Sequence, residues 1–138
     1  MSVLSDAFKK IGIGKIKVEA GGIYRLRDDI IKLPDSDLAG NRTKHDFRTV
    51  VVLSNQKTCD SLSSPVVIVA PLSHEIEIRP ATDLIVGKTP ENKLAHDSRF
   101  MFGYMQPVLK SDLEKQIGRI SEDDWQGVMA KIVWNFDR

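Results

Sequence analysis

Two runs of branched and aliphatic residues, TVVVL from Thr49 to Leu53 and PVVIVAPL from Pro65 to Leu72, constrain this chain more than anything else in it. Neither run alternates with polar residues, so each reads as a central strand covered on both faces. Branching at Cβ favours the extended backbone and leaves few alternatives to it. Both runs fall far short of the roughly 20 residues that cross a bilayer. The amino terminus carries no basic segment followed by an apolar one, so the expectation is a soluble, cytoplasmic protein with no membrane partner.

The remaining pattern builds around these strands. GGIYRLR from Gly21 predicts a preceding strand, and EIEIRP, DLIVG, SRFMFGYMQPV and QIGRI predict further short ones, the last at a sheet edge and the third bent at Gly103. Residues 28–47 form a long polar connection with Pro34 and Gly40, of the kind that usually carries function in a compact domain. Val3, Leu4, Ala7, Phe8 and Ile11 fall at helical spacing and predict a short leading helix that ends at Gly12. Near the end, Ser121 and Asp124 form a capping-box pattern. Trp125, Val128, Met129, Ile132, Val133 and Phe136 then place an apolar stripe on one helix face, to be buried in the core or against another copy. Five or six short strands with few helices between them indicate an α+β chain dominated by β, a small strongly bent antiparallel sheet or barrel closed by a carboxy-terminal helix.

Charge narrows the chemistry. The 138 residues carry 20 basic and 19 acidic side chains, so no global field attracts nucleic acid and any anion site must be local. The one cysteine, Cys59, permits neither an internal disulfide nor a cysteine-based zinc cluster. His45, His74 and His96 form no helical ligand pair, and HEIE would split its histidine and glutamates between two strand faces, so neither a metal nor a cofactor is expected. Ser73 has no nucleophile elbow, and GIGK lacks the spacing of a phosphate loop. What remains is NRTKHDFR, where Arg42, Lys44, His45 and Arg48 gather at the mouth of a central strand. Such a cluster is either a phosphate-binding mouth or a solvated loop whose charges pair with Asp46 and other acids.

GGIYRL, a basic loop leading into RTVVVLSN, then PVVIVAPLS, and later DSRFMFGYMQPV before a terminal helix, together resemble the MazF/PemK-like toxins of bacterial toxin–antitoxin systems. The resemblance runs from about Gly21 to Phe136. It implies an SH3-like barrel over residues 21–138, with residues 1–20 as a helical extension, usually in a homodimer that cleaves single-stranded RNA without a metal and is restrained by an antitoxin. It also implies a reactive pair, with Arg48 opening one strand and Ser73 ending another. Thr49 stands where many relatives have proline, Ser73 where the usual residue is threonine, and GYMQ where some relatives use an acid and an arginine. Two other outcomes go with the same pattern: a barrel without catalysis that binds RNA or a peptide, or a gyrase-directed toxin of the CcdB type.

Cleavage of RNA by its own 2′-hydroxyl requires a proton acceptor, a donor to the leaving oxygen and charge stabilisation on the phosphoryl oxygens. Arg48 has the fork and the permanent charge for the last task, and Ser73 can donate a hydrogen bond to the same phosphate. Neither titrates near neutrality. His45, three residues from Arg48, is the expected proton shuttle, with His74 in reserve. Arg42, Lys44, Phe47, His74 and Gln106 are expected to bind substrate, Phe47 as a stacking platform and Gln106 on a base edge.

Overall fold

The computed structural model describes residues 17–40 and 42–138. The expected leading helix lies outside the described residues. Strand β1 (Gly22–Arg27) is followed by a 3₁₀ turn (Asp28–Ile30), helix α1 (Pro34–Ala39), β2 (Phe47–Val52), α2 (Gln56–Asp60), β3 (Val66–Ser73) and β4 (Leu84–Val86). Then come β5 (Ser98–Phe100), a 3₁₀ turn (Phe102–Tyr104), β6 (Gln106–Leu109), β7 (Lys115–Arg119) and helix α3 (Glu122–Phe136). Every strand pairing is antiparallel, in the order β4-β5-β3-β2-β1-β7, and β6 also pairs with β3.

The two apolar runs are β2 and β3, at the centre, as their composition requires. Alternate residues feed two cores. Tyr24, Leu26, Val50, Val52, Val67 and Val69 pack with Met101, Val108 and Leu113 inside the curled sheet, whereas Ile23, Val51, Ala70 and Leu72 pack with Phe100, Phe102 and Val128 on its other face. A sheet buried on both sides has no use for polar alternation, which accounts for the continuous runs. Burial of Val18 in the first core carries the packed body upstream of Gly21.

One long strand organises the curl. Residues 69–71 of β3 pair with β2 along one edge; along the other edge residues 66–69 pair with β6 and residues 72–73 with β5. The 3₁₀ turn at Phe102–Tyr104 steps between those two partners, so SRFMFGYMQPV is two strands rather than the single bent one expected. A second difference lies in EIEIRP. Residues 74–83 form no strand and leave Glu75, Glu77 and Ile78 exposed, because the edge of β3 that they would pair with is already taken by β5. Instead the segment crosses the end of the barrel, held where the Arg99 guanidinium donates to the Ile78 carbonyl at 2.7 Å. β7 is an edge strand as expected. Gly21, in a left-handed conformation at the turn into β1, lies where a Cβ would come within 3.2 Å of the Trp125 ring.

Helix α3 begins as its sequence predicts: the Ser121 hydroxyl accepts from the Asp124 amide. Val128 is fully buried, and Trp125, Met129 and Ile132 pack partly against the second core. The stripe then runs off the sheet, leaving Val133 and Phe136 exposed.

Candidate active site

The long connection after β1 is not a plain loop. Its 3₁₀ turn sets Asp28 inward, with a side chain wholly removed from solvent, and buried carboxylates need partners. Asp28 has three. One oxygen accepts from Arg48 Nε at 2.7 Å and from an Arg42 terminal nitrogen; the other accepts from the His45 backbone amide at 2.8 Å. Burial alone would push this carboxyl up, but the hydrogen bonds from Arg48, the His45 amide and Arg42 outweigh it and hold it below the usual carboxylate range. The carboxylate therefore ties the end of β1 to the start of β2.

Arg48 is fixed by this contact and not consumed by it. Its Nε faces Asp28, one terminal nitrogen reaches the Leu72 carbonyl at 3.4 Å, and its remaining N–H groups are free to meet an anion. Arg48 lines a cleft of about 410 Å³ between the start of β2, the end of β3 and the connection from β4 to β5. The same cleft is lined by His45, Phe47, Ser73, His74 and His96. Ser73 Oγ accepts from the Glu75 amide at 3.1 Å, which leaves its own proton to donate. The His74 and His96 rings stand with centroids 5.7 Å apart at an interplanar angle of 43°. Phe47 is half exposed, and the Arg25 guanidinium covers its ring at 4.2 Å, leaving the other face for a planar ligand.

Thus Arg48, Ser73, His45, Phe47 and His74 meet around one cavity. Arg42 and Gln106 do not. The Arg42 side chain is 5% exposed and is spent on Asp28, on the Ile31 carbonyl at 2.6 Å and on Asp37 at 3.1 Å, so it braces the loop instead of offering charge to a ligand. Gln106 donates to the Lys32 and Tyr104 carbonyls and accepts from the Lys32 amide at 2.8 Å, pinning the same loop to β6. Lys44 is exposed beside this loop, and its charge helps to lower the Asp37 carboxyl. Cys59 is buried with its thiol pushed up by desolvation, the state of an inert packing residue. Among the described residues, no three His, Cys, Asp or Glu side chains are grouped to hold a metal ion, and no helix is long and apolar enough to cross a membrane.

Residues 27–136 match the family model of the PemK-like, MazF-like toxins of type II toxin–antitoxin systems. The chain belongs to that family. Its fold is similar to the Mycobacterium tuberculosis toxin MazF-mt6, with 21% identity over 83% of this chain and 93% of that one at a TM-score of 0.59. It is also similar to an endoribonuclease from a mycobacterial species, with 12% identity over 87% and 91% of the two chains and a TM-score of 0.60. The MazE–MazF structure of Deinococcus radiodurans matches at 13% identity over 86% and 94% with a TM-score of 0.58. No curated protein matches the sequence significantly.

Two residues of this toxin's site, one behind the cleft and one lining it, escaped the sequence. Asp28 adjoins Asp29, which is exposed and pairs with Arg27 on the surface, and composition alone does not distinguish them. The signal for Asp28 is its place directly after an apolar strand, opposite an arginine at a strand mouth. His96 arrives through a long connection whose geometry is set by Asn92. This buried side chain accepts from the Thr89 and Leu94 amides and donates to the Gly87 carbonyl. Gly118 permits that loop to approach, since a Cβ there would strike the Asn92 carbonyl.

Proposed function

We propose that this toxin is a metal-independent endoribonuclease that cuts single-stranded messenger RNA in the cytoplasm, as a homodimer restrained by a cognate antitoxin. The observation that carries the reading is Arg48. Its guanidinium is anchored on one side by a buried carboxylate and open on the other to a cleft that also holds a hydroxyl and three imidazoles. An RNA phosphate seated there would meet the free N–H groups of Arg48 and the Ser73 hydroxyl, two donors placed before the reaction to receive charge that grows on the phosphoryl oxygens. His45 would move the proton of the attacking 2′-hydroxyl. The products are a 2′,3′-cyclic phosphate and a 5′-hydroxyl. Arginine, hydroxyl and imidazole supply charge stabilisation and proton transfer between them, so the route asks for no metal. Lys44 would attract the strand and Phe47 would stack a base on its open face.

Restraint by an antitoxin fits the same opening, because an acidic segment laid across the cleft would meet Arg48 and Lys44 and block the phosphate. The test is direct. Purified protein is incubated with mixed-sequence messenger RNA in EDTA, and the ends are analysed for cyclic phosphate. Cleavage that survives EDTA and disappears in Arg48→Ala supports the reading. RNA that is bound but left intact by the native protein overturns it in favour of a non-catalytic binding barrel.

A further inference from the structure

We propose that His74 and His96 together are the proton-transfer pair of the cleft, with His96 a catalytic residue supplied by the β4–β5 connection. The inference rests on the ribonuclease reading and replaces its proton route, because a single shuttle at His45 leaves one of two proton transfers without an agent, whereas two paired rings supply both. In-line cleavage takes a proton from the 2′-oxygen as the O–P bond forms, and delivers a proton to the 5′-oxygen as the P–O bond breaks. One neutral imidazole and one imidazolium supply both, and the electron count closes with no further reactant.

The geometry favours these two rings. They are in contact, at 5.7 Å between centroids, and both line the cleft that holds Arg48 and Ser73. After each turnover the two rings have exchanged protonation states, and a proton exchanged through solvent in the open cleft restores them. The charged and titratable groups that face the pair are Arg48 and His45 across the cleft and Lys88 beside it. Asp97 lies beside it too, with one oxygen already accepting from the Lys88 backbone amide at 2.9 Å. Glu75 adjoins His74 in sequence and uses a carboxylate oxygen on the Glu77 amide.

The support under His96 is rigid, as a catalytic position needs. Asn92 ties the loop before it, and the Ser98 hydroxyl donates to the His96 carbonyl at 2.9 Å just after it. His45 differs: its backbone amide is bound to Asp28 on the opposite wall, and no second imidazole is in ring contact with it among the described residues.

The experiment measures EDTA-resistant cleavage of messenger RNA from pH 5 to pH 9 for the native protein, His74→Gln, His96→Gln and the double variant. The expected result is a bell-shaped native profile, a loss of about a hundredfold or more in each single variant with one limb of the bell gone, and a double variant no worse than the poorer single one. A His96→Gln protein with native rate and profile overturns the pair while the ribonuclease reading stands. A native protein that yields no cyclic phosphate overturns both. Should a variant fail to fold, nuclear magnetic resonance of the native protein decides: added inorganic phosphate should move the imidazole signals of both His74 and His96, and signals that stay fixed refute the pair.

Discussion

Replacing Asp28 with alanine should damage stability and chemistry together, and the structure sets the scale. The substitution removes the acceptor of Arg48 Nε, of an Arg42 terminal nitrogen and of the His45 amide, all from a carboxylate with no solvent exposure. Arg42 is left with a guanidinium 5% exposed that keeps Asp37 and two backbone carbonyls but loses its buried counter-charge. Breaking a buried pair by removing one partner costs about 3–5 kcal/mol. For a chain of this length that is a fall in Tm of roughly 10–20 °C. Asp28→Asn keeps the volume and one acceptor but turns an amide toward donors, and should cost about 2–4 kcal/mol.

The pH dependence distinguishes this account from simple cavity formation. Asp28 has its carboxyl held down in the folded protein, while an unfolded aspartate titrates near about 3.9. A carboxyl depressed on folding contributes stability that is fully present above the unfolded value and disappears as pH falls through the folded one. Urea unfolding of native and Asp28→Asn proteins should therefore show the full difference at pH 6–7, and the two curves should converge below about pH 4. A difference under about 1 kcal/mol, or one unchanged between pH 7 and pH 3, would refute the idea that this carboxylate clamps two arginines. If the clamp is real, Asp28→Asn should also lower RNA cleavage at temperatures where it remains folded, because Arg48 then loses the contact that aims it.

Three further outcomes can be measured. Arg48→Lys keeps the charge but cannot reach Asp28, the Leu72 carbonyl and a phosphate together, so cleavage should drop by roughly a hundredfold or more with little loss of Tm, whereas Ser73→Thr should remain active and Ser73→Ala should not. Val128→Ala, at the fully buried centre of α3, should cost about 2 kcal/mol in urea unfolding, while Val133→Ala, on the exposed extension of the same stripe, should stay within about 0.5 kcal/mol in monomeric protein. Asn92→Ala removes one donor and one acceptor from a fully buried loop anchor and should cost about 2–3 kcal/mol by thermal unfolding, with cleavage falling further than Tm alone predicts because His96 loses its support.

How far the sequence could be read follows from where each constraint resides. β2 and β3 were legible because burial on both faces selects one residue class at every position, and a continuous run of that class fits few places besides the middle of a covered sheet. The start of α3 was legible because its cap is made by neighbours in the chain, Ser121 and Asp124. EIEIRP misled for the opposite reason: alternation states a preference for strand, yet a strand exists only where a neighbouring edge is open, and β3 beyond Leu72 already pairs with β5. The same division runs through the candidate site. Arg48 could be found because an arginine before an apolar strand is locally out of place, and its separation from Arg42 could not, since the two are equivalent on paper. What separates them is their partners: Asp28, the Ile31 carbonyl and Asp37 together take both terminal nitrogens of Arg42, whereas Asp28 takes only the inner side of Arg48. One buried carboxylate thus converts a diffuse basic loop into a structural arginine and a presented one. A protein of nearly zero net charge can in this way present a local cation without a basic surface around it.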